Sequence, residues 1–225
     1  MTDIRPASTL ALLRDSADGM QVLMLQRTHQ AIFLPGFYVF PGGAVDASDH
    51  DARLYDLVAG QNRQALNRQL GIKEGGLAYL IAAIRECYEE SGILLTNLSL
   101  PASHPALQQR QQVASGQQCL LDICQQHDVT LDLSGMAYLD HWITPPGPPR
   151  RFDTRFFIAK APEGQQAHHD NSETIDSIWL TPQQAIERFH QGQLPLILPT
   201  LAVLKKLENF TGADEAIHHH RNSSH

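Results

Sequence analysis

Two apolar-rich runs open the chain, Thr9 to Leu13 and Val22 to Gln26, on either side of the polar stretch Asp15-Ser16-Ala17-Asp18-Gly19. This pattern predicts two antiparallel strands joined by a hairpin in which Gly19 supplies the positive φ. Phe37 to Phe40 reads as a third, short strand that stops at Pro41-Gly42-Gly43, a loop whose glycines allow close backbone approach. From Ala52 to Gly76 the text turns polar with only weak helical spacing, which predicts a surface excursion. Leu77 to Ser91 is the strongest helix: Leu77, Leu80, Ile81, Ile84 and Tyr88 trace one apolar stripe, and Gly92 supplies its C-terminal stop.

Pro105 to His127 predicts a second helical excursion, amphipathic at Val113, Leu120, Leu121 and Cys124. Ala137 to Thr144 and Arg151 to Ala159 read as strands separated by the rigid Pro145-Pro146-Gly147-Pro148-Pro149. Ile175 to Leu180 is a last strand. Thr181 then caps a helix with Pro182 in its first turn, and Leu198 to Phe210 closes with another helix. No internal repeat is present. The order is not a regular βαβ alternation, so the expected class is α/β with a mixed (α+β) sheet and helices packed on it. Residues 1–210 are expected to form one domain with insertions at about 50–76 and 103–128, followed by a flexible polar tail, 211–225.

Composition narrows the function. A net charge of -7 disfavours a nucleic-acid binder, which needs a basic face. A polyphosphate ligand would have to be met by bound cations or a few local Lys and Arg. Cys87, Cys119 and Cys124 are odd in number and lack a Cys-x-x-Cys pair, so a reducing compartment is expected. There is no apolar run long enough for a membrane span and no signal-peptide layout at the start, which points to a cytoplasmic protein with no membrane partner. His218-His219-His220 reads as part of the solvated tail, and the final Asn222-Ser223-Ser224-His225 matches no address signal.

The chemistry concentrates in Arg85-Glu86-Cys87-Tyr88-Glu89-Glu90-Ser91-Gly92. Glu86, Glu89 and Glu90 stand at i, i+3 and i+4, so their carboxylates leave one face of the helix, opposite the apolar stripe. Spacing alone allows either a solvated acidic face, penalised near a helix C-terminus, or a hard divalent cation held by carboxylate oxygens. The Pro41-Gly42-Gly43 bend, able to bring main-chain carbonyls to the same ion, tilts the choice toward the cation.

At these residues the chain resembles the Nudix hydrolases, whose signature runs G-x5-E-x7-R-E-U-x-E-E-x-G-U with U aliphatic. Arg85, Glu86, Glu89, Glu90, Gly92 and Ile93 match its second half, with Cys87 in an aliphatic position. With Gly43 as the first Gly, the acidic position falls on Asp49, and the signature is then interrupted by 28 residues before Arg85. A register starting at Gly71 restores the spacing but puts Leu77 at the acidic position. The interrupted form resembles the branch that includes the mammalian peroxisomal coenzyme A diphosphatase. The likeness extends through Trp142-Ile143-Thr144-Pro145, Arg151 to Phe157, and Trp179-Leu180-Thr181-Pro182 with Glu173 ahead of it. Leu25, Arg27, Gly36 and Phe40-Pro41-Gly42-Gly43 also fall at the spacings of a motif found in coenzyme A-directed members, although Ile32 stands where that motif has a second Arg.

The resemblance implies a Nudix-type α/β/α sandwich with helical insertions. It further implies Mg²⁺- or Mn²⁺-dependent hydrolysis of a P–O–P bond in a small-molecule nucleoside diphosphate derivative, best matched by coenzyme A or acyl-coenzyme A. Glu86, Glu89, Glu90 and the Gly43 carbonyl would hold metal, and Arg85 would orient a carboxylate. Glu86 or Glu173 would act as general base. Arg27, Phe40, Gly42, Asp153 and Arg155 would meet substrate, although Asp153 and Arg155 equally suit an internal ion pair, and Phe33, Phe37 and Trp142 suit base stacking or core. ADP-ribose or NADH is the alternative substrate, and a non-catalytic nucleotide-binding module the alternative of another class. Monomer and homodimer both remain open.

Overall fold

The structure is a computed structural model that describes residues 4–59 and 61–222. Strand β1 (Ile4–Ser16) and strand β2 (Gly19–Arg27) form the expected hairpin, with Ser16 facing Gly19 and Gly19 at φ 106°. Beyond the Leu13–Val22 pair the two strands part. Strand β3 (Tyr38–Val39) continues along β2 and strand β4 (Gly42–Ala44) along β1, so the segment read as a glycine loop is itself a strand of the sheet.

Strands β7 (Ala137–Ile143), β8 (Arg151–Lys160) and β9 (Thr174–Leu180) complete a seven-stranded sheet in which β8 runs parallel to β1 and the other pairs are antiparallel. Leu10 and Leu12 of β1 face one core, Ala11 and Leu13 the other, and all four are fully buried. A strand apolar on both faces belongs in the middle of a three-layer arrangement, and helices do cover both sides.

On the near face lies helix α3 (Gly76–Ser91). It begins without a side-chain cap of its own; the Asn67 side-chain oxygen accepts the Gly76 N–H at 2.8 Å instead. Gly92, at φ 77°, ends it by donating to the Tyr88 carbonyl at 2.9 Å. The predicted stripe is buried, but so are Ala78, Ala82, Ala83 and Cys87. The reason is that both excursions pack over the helix. The first contains a 3-10 helix (Ala47–His50), α1 (Ala52–Asp56), β5 (Val58–Ala59) and α2 (Arg63–Gln69), and it buries Leu54, Leu66 and Leu70 in the near-face core rather than lying loose on the surface. The second contains α4 (Pro105–Gln108), α5 (Arg110–Ala114) and α6 (Leu120–His127) and contributes Val113, Leu120, Leu121 and Cys124. A short parallel pair between β5 and β6 (Leu131–Asp132) ties the first excursion to the chain leaving the second.

The far face is covered by α7 (Pro182–His190), α8 (Leu198–Leu207) and α9 (Ala213–Asn222). Thr181 caps α7 through a reciprocal pair with Gln184. Helix α9 corrects the expectation of a flexible tail: Ala213, Ala216, Ile217 and His220 are buried, and the Ala213 N–H donates to Asp15 Oδ1 at 2.8 Å. The triple-histidine segment is therefore helical, and two of its rings pack against Phe210. Residues 223–225 of the expected tail lie outside the described residues. No helix of the described chain is long and apolar enough to cross a membrane.

Candidate active site

The fork between β1 and β2 places Gly42 and Gly43 beside the second half of α3. The Gly42 N–H donates to Glu90 Oε2 at 3.1 Å. A Cβ at Gly43 would fall within 2.7 Å of both oxygens of Glu86, so any larger residue there would displace that carboxylate. A Cβ at Gly42 would strike the Ser8 carbonyl at 2.6 Å and the Thr9 Cα at 2.8 Å. The two glycines form a ledge pressed against two of the three carboxylates.

Arg85 organises the rest. It is buried, and each of its five N–H bonds has an acceptor: Nε to Asp49 Oδ1 at 2.9 Å, Nη2 to Asp49 Oδ2 at 2.9 Å and the Ala44 carbonyl at 2.8 Å, and Nη1 to Glu86 Oε1 at 2.8 Å and Glu89 Oε1 at 3.2 Å. Burial alone would lower the Arg85 pKa, but Asp49, Glu86 and Glu89 hold it far above its ordinary value, so it is always charged. Asp49 is 1% exposed and accepts a further bond from the Asp46 N–H at 2.8 Å, closing a capping box at the 3-10 helix. Its partnership with Arg85 spans the first excursion. The only trace of it in the sequence is the count from Gly43.

One arginine does not balance this cluster. Burial pushes Glu86 up to about 7, Arg85 pulls it down and Glu89 adds to the rise. Burial likewise raises Glu89. Burial and then the Glu86 charge lift Glu90 well above the carboxylate range, while the Gly42 N–H and the Arg27 charge oppose this and Glu173 reinforces it. Arg27 and Glu173 are thus close enough to be felt at Glu90. They approach it from the far ends of β2 and β9, where Arg27 pairs with Thr174 and the Thr28 N–H donates to the Glu173 carbonyl at 2.9 Å.

Among the described residues no three His, Cys, Asp or Glu side chains already stand as a closed metal cage. Glu86 and Glu89 each give one oxygen to Arg85, and Glu90 gives one to Gly42. Their other oxygens, Glu86 Oε2, Glu89 Oε2 and Glu90 Oε1, meet no donor among the described residues. A surplus of buried negative charge with three unpartnered carboxylate oxygens beside a glycine backbone fits a hard divalent cation.

Other expected site residues lie elsewhere. Phe40 is 2% exposed and sits in the far-face core, so substrate cannot reach its ring. Arg155 is 3% exposed under α3: Nη1 donates to Asp153 Oδ1 at 2.7 Å and to the Tyr79 hydroxyl at 3.2 Å, Nη2 to the Leu70 carbonyl at 3.3 Å. Asp153 also contacts His141 Nε2 at 2.5 Å. Asp153 and Arg155 thus form the internal ion pair, with Arg155 buried and Asp153 partly exposed. Trp142 packs on the far-face core with its N–H on Asp140, whereas Phe33 meets Phe152 and its carbonyl accepts the Arg27 Nε–H at 3.0 Å. The exposed Ile32 offers no cation in place of the missing arginine. A cleft of about 540 Å³ lined by Arg14, Lys160 and Trp179 lies at the hairpin end, and none of the α3 carboxylates lines it.

Comparison with known proteins agrees with this arrangement. The family model described as the NUDT19 Nudix domain matches residues 63–207. The acyl-coenzyme A diphosphatase NUDT19 of Homo sapiens is 29% identical over 237 residues, and that of Gallus gallus 30% identical over 240. These alignments cover 88% and 87% of this chain but only 63% of either relative, so the chain spans under two thirds of their length. The crystal structure of a Nudix hydrolase from Alicyclobacillus acidocaldarius superposes with a TM-score of 0.81 at 29% identity, covering 97% of both chains. With well over half of its residues matched to the family model, this chain belongs to the NUDT19-type Nudix family.

Proposed function

We propose that this protein is a Mg²⁺- or Mn²⁺-dependent diphosphatase that cleaves coenzyme A or acyl-coenzyme A into 3′,5′-ADP and phosphopantetheine or its acyl form. The observation that carries the reading is the uncompensated carboxylate cluster pressed against the Gly42–Gly43 ledge, and the names of the similar human and chicken proteins support the substrate. Glu86, Glu89 and Glu90 would hold the divalent ion, with the Gly43 carbonyl beside them. When bound, that ion neutralises phosphate charge and acidifies a water. Arg85 keeps Glu86 and Glu89 in place; with all five donors engaged, it has none for substrate. Arg27, near Glu90, is the cation available to a phosphate oxygen.

Glu173 takes the proton as water oxygen attacks phosphorus and the bridging P–O bond breaks; Glu86 is the other group suited to that task. The leaving phosphate departs with the bridging oxygen. Buried, unpaired Cys87 and Cys124 suit a reducing, cytoplasmic setting.

The test is Mg²⁺-dependent release of phosphomonoesters from coenzyme A, acyl-coenzyme A, ADP-ribose and NADH. Fastest turnover of a coenzyme A species supports the proposal. Much faster cleavage of ADP-ribose or NADH would keep the chemistry and overturn the substrate. If nothing is cleaved and Glu89→Gln binds nucleotide as tightly as the parent, the chain is a binding module.

A further inference from the structure

The second excursion meets the last turn of α3 in two places, where the Tyr88 hydroxyl donates to the Ala106 carbonyl of α4 and where Arg110 lies over Gly92. Arg110, the first residue of α5, donates from Nη1 to the His168 carbonyl at 2.5 Å and from Nη2 to the His169 carbonyl at 2.8 Å. The same guanidinium lies over Gly92, where a Cβ would come within 3.1 Å of Nη1. The glycine that ends α3 thus also makes the space this cation fills, at the negative end of the helix dipole. The His168 N–H donates to the Ser91 carbonyl at 2.8 Å, so the loop 168–174 is strapped to the last turn of α3.

Inside that loop Asp170 acts as an anchor. Its Oδ1 accepts the Thr174 N–H and hydroxyl, each at 2.7 Å, and its Oδ2 accepts the Glu173 N–H at 2.9 Å and the Ser172 hydroxyl. Asn171 adopts φ 63°, which bends the backbone so that its N–H reaches the Thr174 carbonyl at 3.1 Å. Glu173 is therefore held from both directions, by Asp170 on one side and by its carbonyl on the Thr28 N–H on the other. Two ties hold this clasp: the His168 N–H on the Ser91 carbonyl of α3, and Arg110, which gathers the His168 and His169 carbonyls to α5 over Gly92.

We propose that Arg110 is a positioning residue: by fastening loop 168–174 to α5, over the end of α3, it sets where the Glu173 carboxylate stands relative to Glu86 and Glu90. The inference rests on the reading of Glu173 as the base, and it gives the second excursion a task in the reaction. Arg110 contacts neither the glycine ledge nor the α3 carboxylates, so its influence passes through the loop.

The experiment compares Arg110→Ala, Arg110→Lys, Glu173→Gln and the double variant R110A/E173Q in the full chain, with Mg²⁺ and the best substrate of the panel. Arg110→Ala is expected to lower kcat roughly tenfold or more with KM nearly unchanged, because misplacing a reacting group costs turnover rather than affinity. Arg110→Lys recovers part of the loss. In the Glu173→Gln background, Arg110→Ala adds less than about a twofold further change, the signature of two residues acting through one group. Losses that multiply instead overturn the positioning role while leaving Glu173 as base. Full activity of Glu173→Gln overturns the base assignment and this inference with it. Hydrogen exchange decides the strap independently of turnover: the Glu173 and Thr174 amides exchange roughly tenfold faster in Arg110→Ala at an unchanged global melting temperature, and unchanged protection refutes it.

Discussion

Arg85 and Asp49, 36 residues apart in the chain, are joined by two parallel hydrogen bonds of 2.9 Å each, and both side chains are almost fully removed from water. Removing Asp49 strands two buried N–H donors of Arg85, whose charge still faces Glu86 and Glu89. Asp49→Ala is therefore expected to destabilise the fold by about 2–4 kcal/mol, read by urea denaturation at neutral pH. Asp49→Asn keeps the shape and an acceptor, and should fall between that variant and the parent. If Asp49→Ala unfolds at the parent midpoint, the bridge contributes nothing.

The carboxylate cluster gives the metal-free protein an unusual pH dependence. Glu86 and Glu90 titrate higher in the folded chain than their ordinary 4.5, so the folded state binds more protons than the unfolded one between that value and about 7. Stability then decreases as pH rises through this window, the reverse of an ion-paired carboxylate. The melting temperature without divalent ion is expected to fall by roughly 5 °C or more between pH 5 and pH 8, and saturating Mg²⁺ should recover most of that loss at pH 8. Melting curves that are flat in pH and unmoved by Mg²⁺ would count against an ion site here.

The two ledge glycines should fail in different ways. At Gly42 an added methyl meets rigid backbone of β1, so Gly42→Ala is expected to cost about 1–3 kcal/mol of stability. At Gly43 it meets the movable end of Glu86. Gly43→Ala should therefore keep its melting point within a few degrees, while kcat drops roughly tenfold or more and the Mg²⁺ requirement rises. A Gly43→Ala enzyme with parental kcat and Mg²⁺ dependence removes Glu86 from the metal set.

Helix α9 makes a prediction that a loose tail would not. Ile217 is 7% exposed, so Ile217→Ala should lose about 2–4 kcal/mol. An unchanged denaturation midpoint would show that the helix contributes no stability.

The sequence displays local patterns well and long-range pairings poorly, and this site depends on both. The α3 stripe, the Gly92 stop, the Asp15–Gly19 hairpin and the Thr181 cap are all written within a few residues of themselves, and all form. So does the line of Glu86, Glu89 and Glu90. The first excursion reads as surface because its few apolar residues, Leu54, Leu66 and Leu70, are scattered in polar text, yet each finds the near-face core once α3 is in place. Residues 211–222 look like tail because histidines and acids dominate; Ala213, Ala216 and Ile217, spaced three and four apart, are the faint helical signal. Arg155 and Asp153 sit two strand positions apart on a common face, and nothing local says that α3 will roof Arg155. The roles of Arg110 and Asp170 in holding Glu173 come from a helix and a loop that meet only in three dimensions.

Where β1 and β2 diverge, the corner between β3 and β4 crosses the plane of the sheet. Phe40 is rooted among the far-side side chains, and two residues later Gly42 touches Glu90 on the near side. The corner works like a rivet through a plate. A change of packing beneath Phe40 on the far side is thus expected to move Gly42 against Glu90 on the near side.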